Sequence, residues 1–73
     1  MDPQATINLI HECADEEDYL SLEDSCDDLI AWFNRGGFAP RDAIVQLRFI
    51  YTTIPAEQIS ARNHVQACIN AIP

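Results

Sequence analysis

Apolar residues recur every three or four positions through most of this sequence, and no stretch alternates apolar and polar residues for long enough to form a strand. A recurrence of that kind places the apolar side chains on one face of an α-helix. Helix start and stop signals divide the chain into four such segments with short connections. The sequence therefore predicts an all-α fold, a small single-domain bundle of four short helices.

The size of the chain limits how much core it can build. With 73 residues there is room for one domain, and we expect residues 1–73 to form a single helical domain. A chain of this length buries only about 60% of the surface that its unfolded form exposes. A hydrophobic content of 48% is too high for a disordered protein and predicts a true core. Because so small a core gives limited stability, self-association as a homodimer is a further expectation.

Two start signals mark the first half of the chain. Asp2 followed by Pro3 predicts that helix 1 begins at Pro3, and the pattern ends near Ala14. Ser21 with a carboxylate three positions later, at Asp24, matches a capping box and predicts that helix 2 begins there. The apolar faces expected to be buried consist of Ile7, Leu9, Ile10, Cys13 and Ala14 in helix 1, and of Leu22, Cys26, Leu29, Ile30 and Phe33 in helix 2.

Glycine and proline residues mark the predicted helix boundaries in the second half of the chain. The pair Gly36-Gly37 is expected to end helix 2, because a glycine past the last turn takes the left-handed conformation without a Cβ clash. Pro40 opens helix 3, which is predicted to run to about Thr53. This helix is apolar on two sides, Ala43, Ile44, Leu47, Ile50 and Tyr51 on one and Val45 with Phe49 on the other. A helix of that kind is expected to be central, with neighbours on both flanks.

A proline also sets the last helix. Pro55 disfavours the helical region for Ile54, so we expect a bend there and the start of helix 4 at Pro55, with an end near Ile72. The buried stripe of helix 4 is predicted to consist of Ala61, Val65, Cys68, Ile69 and Ile72, and its polar face of Asn63, Gln66 and Asn70.

Charge is distributed unevenly along the chain. Ten of the twelve acidic residues precede residue 35, where there is no basic residue, so the first 34 residues carry formal charge −10 and the remainder +2. Such a field repels nucleic acid and anionic lipid and attracts basic surfaces. We therefore expect a basic protein surface as partner, with no direct binding to nucleic acid and none to membranes. Arg41 and Arg48 are expected to pair within the molecule with the acidic half, an exposed interaction of little energetic value.

The acidic face of helix 2 is the best candidate for a functional surface. Glu23 with Asp27, and Asp24 with Asp28, are like-charge pairs at i,i+4, each destabilising by roughly 0.2–0.5 kcal/mol. A helix selected only for stability would alternate its signs. The alternative is a solvated face, since acids suit the first turn of a helix and acidity increases solubility.

Two aromatic residues flank the Gly-Gly turn beside this face. Trp32 lies at the margin of the apolar face of helix 2, and Phe38 follows the turn. Such residues can anchor an interface, and the alternative is that they seal the end of the core. The predicted partner-binding residues are Glu23, Asp24, Asp27, Asp28, Trp32 and Phe38.

The run LIAWFNRGGFAP, residues 29–40, resembles a segment in short uncharacterised acidic reading frames of bacteria and phages. In that segment an acidic helix ends in Trp, a Gly-Gly turn, an aromatic residue and Pro. The resemblance covers about twelve residues and brings no known activity or site residues. It implies an accessory protein of prokaryotic or phage origin.

The cysteines and histidines do not form a recognised site. Cys13, Cys26 and Cys68 are an odd, widely spaced set, which fits a reducing compartment. His64 and Cys68 have the i,i+4 spacing of a shared metal, but His11 and Cys13 lie about 200° apart on a helix and no close CxxC pair exists. We expect the cysteines to pack as small core hydrophobes, with no metal and no cofactor. A bridge from Cys13 to Cys26 stays open, because sequence does not give the Cα separation.

No catalytic machinery is expected. All three cysteines fall on predicted core faces, and a small bundle offers little concavity to exclude water from a reaction. No apolar run approaches the roughly 20 residues that span a bilayer, and the N-terminus lacks the pattern of a signal peptide. A cytoplasmic location is the expectation.

These observations predict a non-enzymatic, small acidic module for protein–protein interaction, an accessory subunit or inhibitor, that docks through the acidic face of helix 2. Two alternatives are open. One is an inhibitor that mimics nucleic acid and acts on a DNA- or RNA-binding enzyme. The other is a small metal-binding helical module.

Overall fold

The fold consists of four α-helices and no strand. A computed structural model describes every residue from Met1 to Pro73. The helices are α1 (Pro3–Asp15), α2 (Tyr19–Asn34), α3 (Ala43–Thr53) and α4 (Ile59–Ala71). The predicted all-α bundle of four short helices is confirmed.

The helices are arranged as two hairpins. α1 packs on α2 and α3 packs on α4, and the hairpins meet through α2 on α4 and α1 on α3. α2 and α3 make no contact with each other, so they lie across the diagonal of the bundle. The prediction that helix 3 is central is therefore wrong. Only one apolar side of α3 is covered, and Val45 and Phe49 on its other side are 65% and 59% exposed.

One core joins the four helices, and most of its members were predicted from the apolar periodicity. The buried hydrophobic residues are Ile7, Ile10, Cys13, Ala14, Leu22, Cys26, Leu29, Phe33, Ala43, Leu47, Ile50, Ile54, Ala61, Val65 and Cys68. Leu9 was wrongly assigned to the core and is 48% exposed, because it lies to one side of the buried stripe of α1. Ile44 is 39% exposed, and Ile30, Tyr51, Ile69 and Ile72 pack at the edge of the core.

The starts of α1 and α2 are both set by an aspartate. The Asp2 carboxylate accepts hydrogen bonds from the backbone amides of Gln4 and Ala5, at 3.1 and 3.2 Å, as the sequence predicts. α2 begins before the predicted capping box. Asp18 is its N-cap, and the Asp18 carboxylate accepts from the amide of Ser21 at 3.3 Å. Ser21 is thus the third residue of the helix, and the capping-box prediction is wrong.

Two of the three prolines expected to open helices, Pro40 and Pro55, open turns instead. The amide of Ala43 donates to the carbonyl of Pro40 at 3.1 Å, and α3 begins only after this turn. The amide of Gln58 donates in the same way to the carbonyl of Pro55 at 3.0 Å, ahead of α4. Asp42 has a left-handed conformation, φ 59°, which separates the turn at Pro40 from the helix.

Two local predictions are confirmed at the ends of α2 and α3. Gly36 takes the left-handed conformation, with φ 83°, directly after α2. Ile54 is extended ahead of Pro55, with φ −85° and ψ 126°, and its side chain is buried in the core.

Candidate partner-binding surface

The four acidic residues predicted to form one face of α2 divide into two rows. Asp24, Asp27 and Asp28 are exposed, whereas Glu23 is half-buried. At 100° per residue, Glu23 with Asp27 and Asp24 with Asp28 form two adjacent rows, and the row of Glu23 and Asp27 lies on the side of α4. His64 of α4 accordingly has its Nε2 3.7 Å from Oδ1 of Asp27. The outward surface of α2 is therefore narrower than the predicted face.

A residue missed by the sequence prediction extends the outward row. Leu20 lies one turn before Asp24, and its side chain is 79% exposed. Trp32 lies one turn after Asp28, so these four residues form a line along α2 that spans about 18 Å. We call Leu20, Asp24, Asp28 and Trp32 the α2 row. Leu20 was overlooked because helix 2 was predicted to begin after it.

The structure brings the two predicted aromatic residues together at one end of the α2 row. The Trp32 indole donates its Nε1 hydrogen to the carbonyl oxygen of Phe38 at 2.9 Å. The two rings meet edge to face, with centroids 5.6 Å apart. Trp32 also packs against the core, whereas Phe38 is 66% exposed. Trp32 thus seals the end of the core and at the same time holds Phe38 at the surface.

Two neighbours hold the indole in place. A Cβ at Gly37 would overlap the Trp32 ring, so the backbone approaches the ring closely only because residue 37 is glycine. At the C-cap of α2, the guanidinium of Arg35 lies 5.9 Å from the centre of the same ring. The aromatic pair is therefore a fixed feature of the surface.

The acidic half has no arginine partners. The side chains that approach its carboxylates are two histidines: His11 Nε2 lies 3.9 Å from Asp15 Oδ1, and His64 Nε2 lies 3.7 Å from Asp27 Oδ1. Arg41 and Arg48 were predicted to pair with the acidic half, and this prediction is wrong. Because α3 and α2 lie across the diagonal, these arginines and the α2 row face different sides of the bundle.

The three cysteines are buried in the core. All three are free, and the Cys68 thiol donates to the backbone carbonyl of Cys26 at 3.3 Å. A side-chain hydrogen bond with the Cys68 thiol, together with burial, raises the pKa of the Cys26 thiol. Burial, reinforced by the charges of Asp18 and Glu16, raises the pKa of Cys13. A buried thiol with a raised pKa is a poor nucleophile and a poor metal ligand. All three cysteines lie in the core cluster and pack there as small hydrophobic residues, as predicted.

The potential metal ligands of α4 do not converge. Cys68 is fully buried against α2, whereas the Nδ1 atom of His64 lies 2.7 Å from the carbonyl oxygen of Ser60 in a half-exposed position. No group of three or more His, Cys, Asp or Glu side chains is placed to hold a metal ion. Cys26 lies against Cys68, and no Cys13–Cys26 bridge is present.

A second surface, absent from the sequence prediction, lies between α1 and α3. It is an open groove of about 340 Å³. Its lining consists of Ile7, Asn8, His11, Val45, Gln46, Phe49 and Ile50. We call this surface the α1–α3 groove. The sequence signal for it was the second apolar side of helix 3, which was expected to be covered by a neighbour and is open.

No protein-family model matches this sequence, and no curated protein or solved structure gives a significant match. None of the four helices has the length and apolarity needed to cross a membrane. The α2 row, the aromatic pair and the α1–α3 groove are therefore the observations on which a function can be proposed.

Proposed function

We propose that this protein is a non-enzymatic interaction module, an accessory subunit or inhibitor, that docks on a basic protein surface through α2. The observation that supports this function is the line of exposed carboxylates without arginine partners, ending at a fixed aromatic pair. Asp24 and Asp28 form the centre of the surface, and Trp32 with Phe38 forms one end. Glu23 and Asp27 extend the surface toward α4. The proposal includes a cytoplasmic location and a prokaryotic or phage origin.

The charge of this surface favours a basic partner. Asp24 and Asp28 repel each other across one helical turn, and no cation within the chain relieves that repulsion. Lysine or arginine side chains of a partner would do so. The net charge of −8 would also steer a basic partner toward this side and raise the rate of encounter.

The aromatic pair adds apolar binding energy, which the carboxylates alone do not supply. Exposed ion pairs are worth little, and residues that dominate binding energy are enriched in tryptophan and arginine at well-packed positions. Phe38 presents an exposed ring that packs edge to face on Trp32, and its backbone is held by the Trp32 hydrogen bond, so less conformational entropy is lost on docking. The surface therefore combines steering by carboxylates with an apolar anchor.

The test is capture of partners from a lysate of the source organism at low and high salt, followed by titration of the purified partner. The decisive variant replaces the acidic residues of α2 by their amides: Glu23→Gln, Asp24→Asn, Asp27→Asn and Asp28→Asn. It is expected to fold as well as the wild type or better, because like-charge pairs are removed, and to lose the partner. Raised salt is expected to weaken the wild-type complex.

A second variant with the same net charge provides the control. Glu12→Gln, Glu16→Gln, Asp42→Asn and Glu57→Gln also remove four charges, all at exposed positions outside the α2 surface. Binding by this control is expected to survive. If both variants lose the partner equally, overall charge and not the α2 surface drives binding, and the proposal fails.

The same experiment separates the two alternative functions. A captured enzyme of DNA or RNA metabolism that is displaced competitively by nucleic acid would indicate a mimic of nucleic acid. A loss of helicity on addition of a chelator, with one bound ion per chain, would indicate a metal-binding module. Binding that persists in the amide variant and in high salt would place the interface on an apolar surface.

A further inference from the structure

We propose that the α1–α3 groove is a docking site for a second copy of this chain, which inserts the exposed Leu20 of its α2 row. The groove of one copy would thus hold the α2 row of the next, in a head-to-tail contact. This proposal rests on the same α2 row as the proposed function. In the proposed function the α2 row binds a basic partner protein, and here it binds the α1–α3 groove of another copy.

The groove has the size and chemistry for an apolar side chain. Ile7 and Ile50 are buried and form its floor, and the exposed side chains of Val45 and Phe49 lie on its α3 side. The His11 ring packs edge-on against Phe49, with centroids 5.8 Å apart. At about 340 Å³, the groove lies near the lower end of the range for ligand sites.

One end of the groove is held by side-chain hydrogen bonds between the two helices. The side-chain amides of Gln4 on α1 and Gln46 on α3 bond to each other in both directions, at 2.8 and 3.0 Å. Gln46 also donates to the backbone carbonyl of Arg41 at 3.0 Å. The groove is therefore a preformed feature, which lowers the conformational cost of filling it.

Charge complementarity selects the α2 row as the occupant. Arg48 lies one turn after Val45 on α3, and Arg41 lies in the turn before α3, where its backbone carbonyl accepts from the groove residue Gln46. Both arginines are exposed, and neither pairs with a carboxylate in its own chain. In the α2 row, the carboxylate of Asp24 follows Leu20 by one turn. A helix that inserts Leu20 beside Val45 would therefore bring carboxylates to the guanidinium groups of the other copy.

The diagonal arrangement makes the contact head to tail. The groove is lined by α1 and α3 alone, and α2 makes no contact with α3, so the groove and the α2 row are separate surfaces that stay accessible together. A contact between two different surfaces is heterologous, so it adds further copies into a ring or an open chain. A symmetric contact of α3 with α3 would instead place Arg41 and Arg48 of the two copies against one another.

The contact is expected to be weak. The whole molecule exposes 4292 Å², and a standard interface would bury about 800 Å² on each partner. One helix lying along one groove covers less than that. The net charge of −8 on each copy also opposes the encounter at long range, so the measurement requires high protein concentration and salt near 0.15 M, where the Debye length is about 8 Å.

The test is sedimentation equilibrium of the wild type and of two complementary variants up to about 1 mM protein, a range that detects weak contacts. Leu20→Glu removes the inserted side chain, and Val45→Glu blocks the groove. Both positions are exposed, at 79% and 65%, so the fold is retained, as circular dichroism will verify. The wild-type mass is expected to rise with concentration beyond twice 8.2 kDa, and each variant alone is expected to stay monomeric.

Mixing the two variants gives the sharpest result. Leu20→Glu keeps an intact groove and Val45→Glu keeps an intact α2 row, so an equimolar mixture is expected to form a one-to-one dimer that cannot grow. Leu9→Glu adds the same charge at an exposed position outside both surfaces and is expected to associate like the wild type. A monomeric wild type, a mixture without dimer, or a variant that self-associates alone would each overturn the proposal.

The outcome is independent of the basic partner. Val45→Glu leaves the α2 surface intact, so it is expected to bind the partner of the proposed function as the wild type does. If self-association fails while the amide variant still loses that partner, the proposed function stands without the head-to-tail contact. If no basic partner is found while the mixed variants form a dimer, the head-to-tail contact stands and the proposed function fails.

Discussion

The indole ring of Trp32 covers the Cα atom of Gly37 so closely that a Cβ at position 37 would overlap it. The same ring holds Phe38 through the hydrogen bond from Nε1 to the carbonyl oxygen. One glycine therefore determines whether the aromatic pair of the candidate surface can form. Gly36, beside it, has no neighbour within contact distance of its missing Cβ and is required for a different reason, its positive φ.

Gly37→Ala is expected to displace the indole and to destabilise the protein by about 1–3 kcal/mol, the usual range for an overpacked site. The check is a double-mutant cycle with Trp32→Ala, measured by urea unfolding. In the Trp32→Ala background, Gly37→Ala should cost much less. Gly36→Ala is the control: it is expected to cost about 1–2 kcal/mol from backbone strain whether or not the indole is present. Equal costs for Gly37→Ala in both backgrounds would contradict the contact.

Asp18→Ala is expected to destabilise the protein by about 1 kcal/mol, because the Asp18 side chain is the N-cap of α2. Ser21→Ala is expected to have almost no effect, since Ser21 lies inside the helix and its side chain caps nothing. Thermal unfolding by circular dichroism distinguishes the two. A larger loss of thermal stability from Ser21→Ala than from Asp18→Ala would instead support the capping box predicted from the sequence.

Glu17→Gly is expected to be neutral or stabilising, because Glu17 has φ 58°, a conformation that costs a non-glycine residue about 1–2 kcal/mol. The larger backbone entropy of glycine in the unfolded chain offsets part of the gain, by about 0.5–1 kcal/mol. Glu16→Gly removes the same charge at a residue with φ −88° and is expected to destabilise. Denaturant midpoints of the two variants give the comparison, and a lower midpoint for Glu17→Gly than for Glu16→Gly would contradict the assigned conformation.

Stability is expected to fall as the pH rises above about 8.5, the ordinary pKa of a thiol. The pKa values of Cys13 and Cys26 are raised in the folded protein, so above that pH the unfolded chain loses thiol protons that the native state keeps. Below it, both states are protonated and the stability is complete. Each such thiol contributes a slope of up to about 1.4 kcal/mol per pH unit.

Urea unfolding between pH 7 and pH 10 measures this slope. Cys26→Ala removes one of the two titrating groups and is expected to flatten the dependence, although the variant starts from lower stability because it leaves a small cavity. A pH dependence that is identical in the wild type and in Cys26→Ala would show that this thiol is not shielded in the native state.

The helices and most of the core could be predicted because apolar periodicity and caps are local properties. Boundaries were missed where two signals compete. Asp18 and Ser21 both suit an N-cap, and only packing of the extra residues in α2 decides between them. Pro40 fits a turn as well as a first helical position, and the left-handed Asp42 makes it a turn. Neither choice is encoded in residue type alone.

The candidate surfaces were less predictable because they depend on which helices meet. Val45 and Phe49 are as apolar as core residues, and they are exposed only because no helix covers the outer side of α3. Asp27 differs from Asp28 only through the neighbouring α4, which brings His64 within 3.7 Å of Asp27. Apolar periodicity predicts which residues share a face of a helix. Whether that face is buried or exposed depends on which helices pack against it.

Because the chain is divided into two hairpins of opposite charge, we expect its rate of folding to depend on electrostatic attraction. Residues 1–34, which form α1 and α2, carry formal charge −10, and the half that forms α3 and α4 carries +2. Contacts within each hairpin join residues that are close in sequence, so we expect them to form before the two hairpins associate. That late step is an encounter between oppositely charged halves on a short tether, so added salt should slow refolding in stopped-flow measurements even though no arginine pairs with a carboxylate in the native state. A refolding rate that rises with salt would instead show that repulsion within the acidic hairpin limits the reaction.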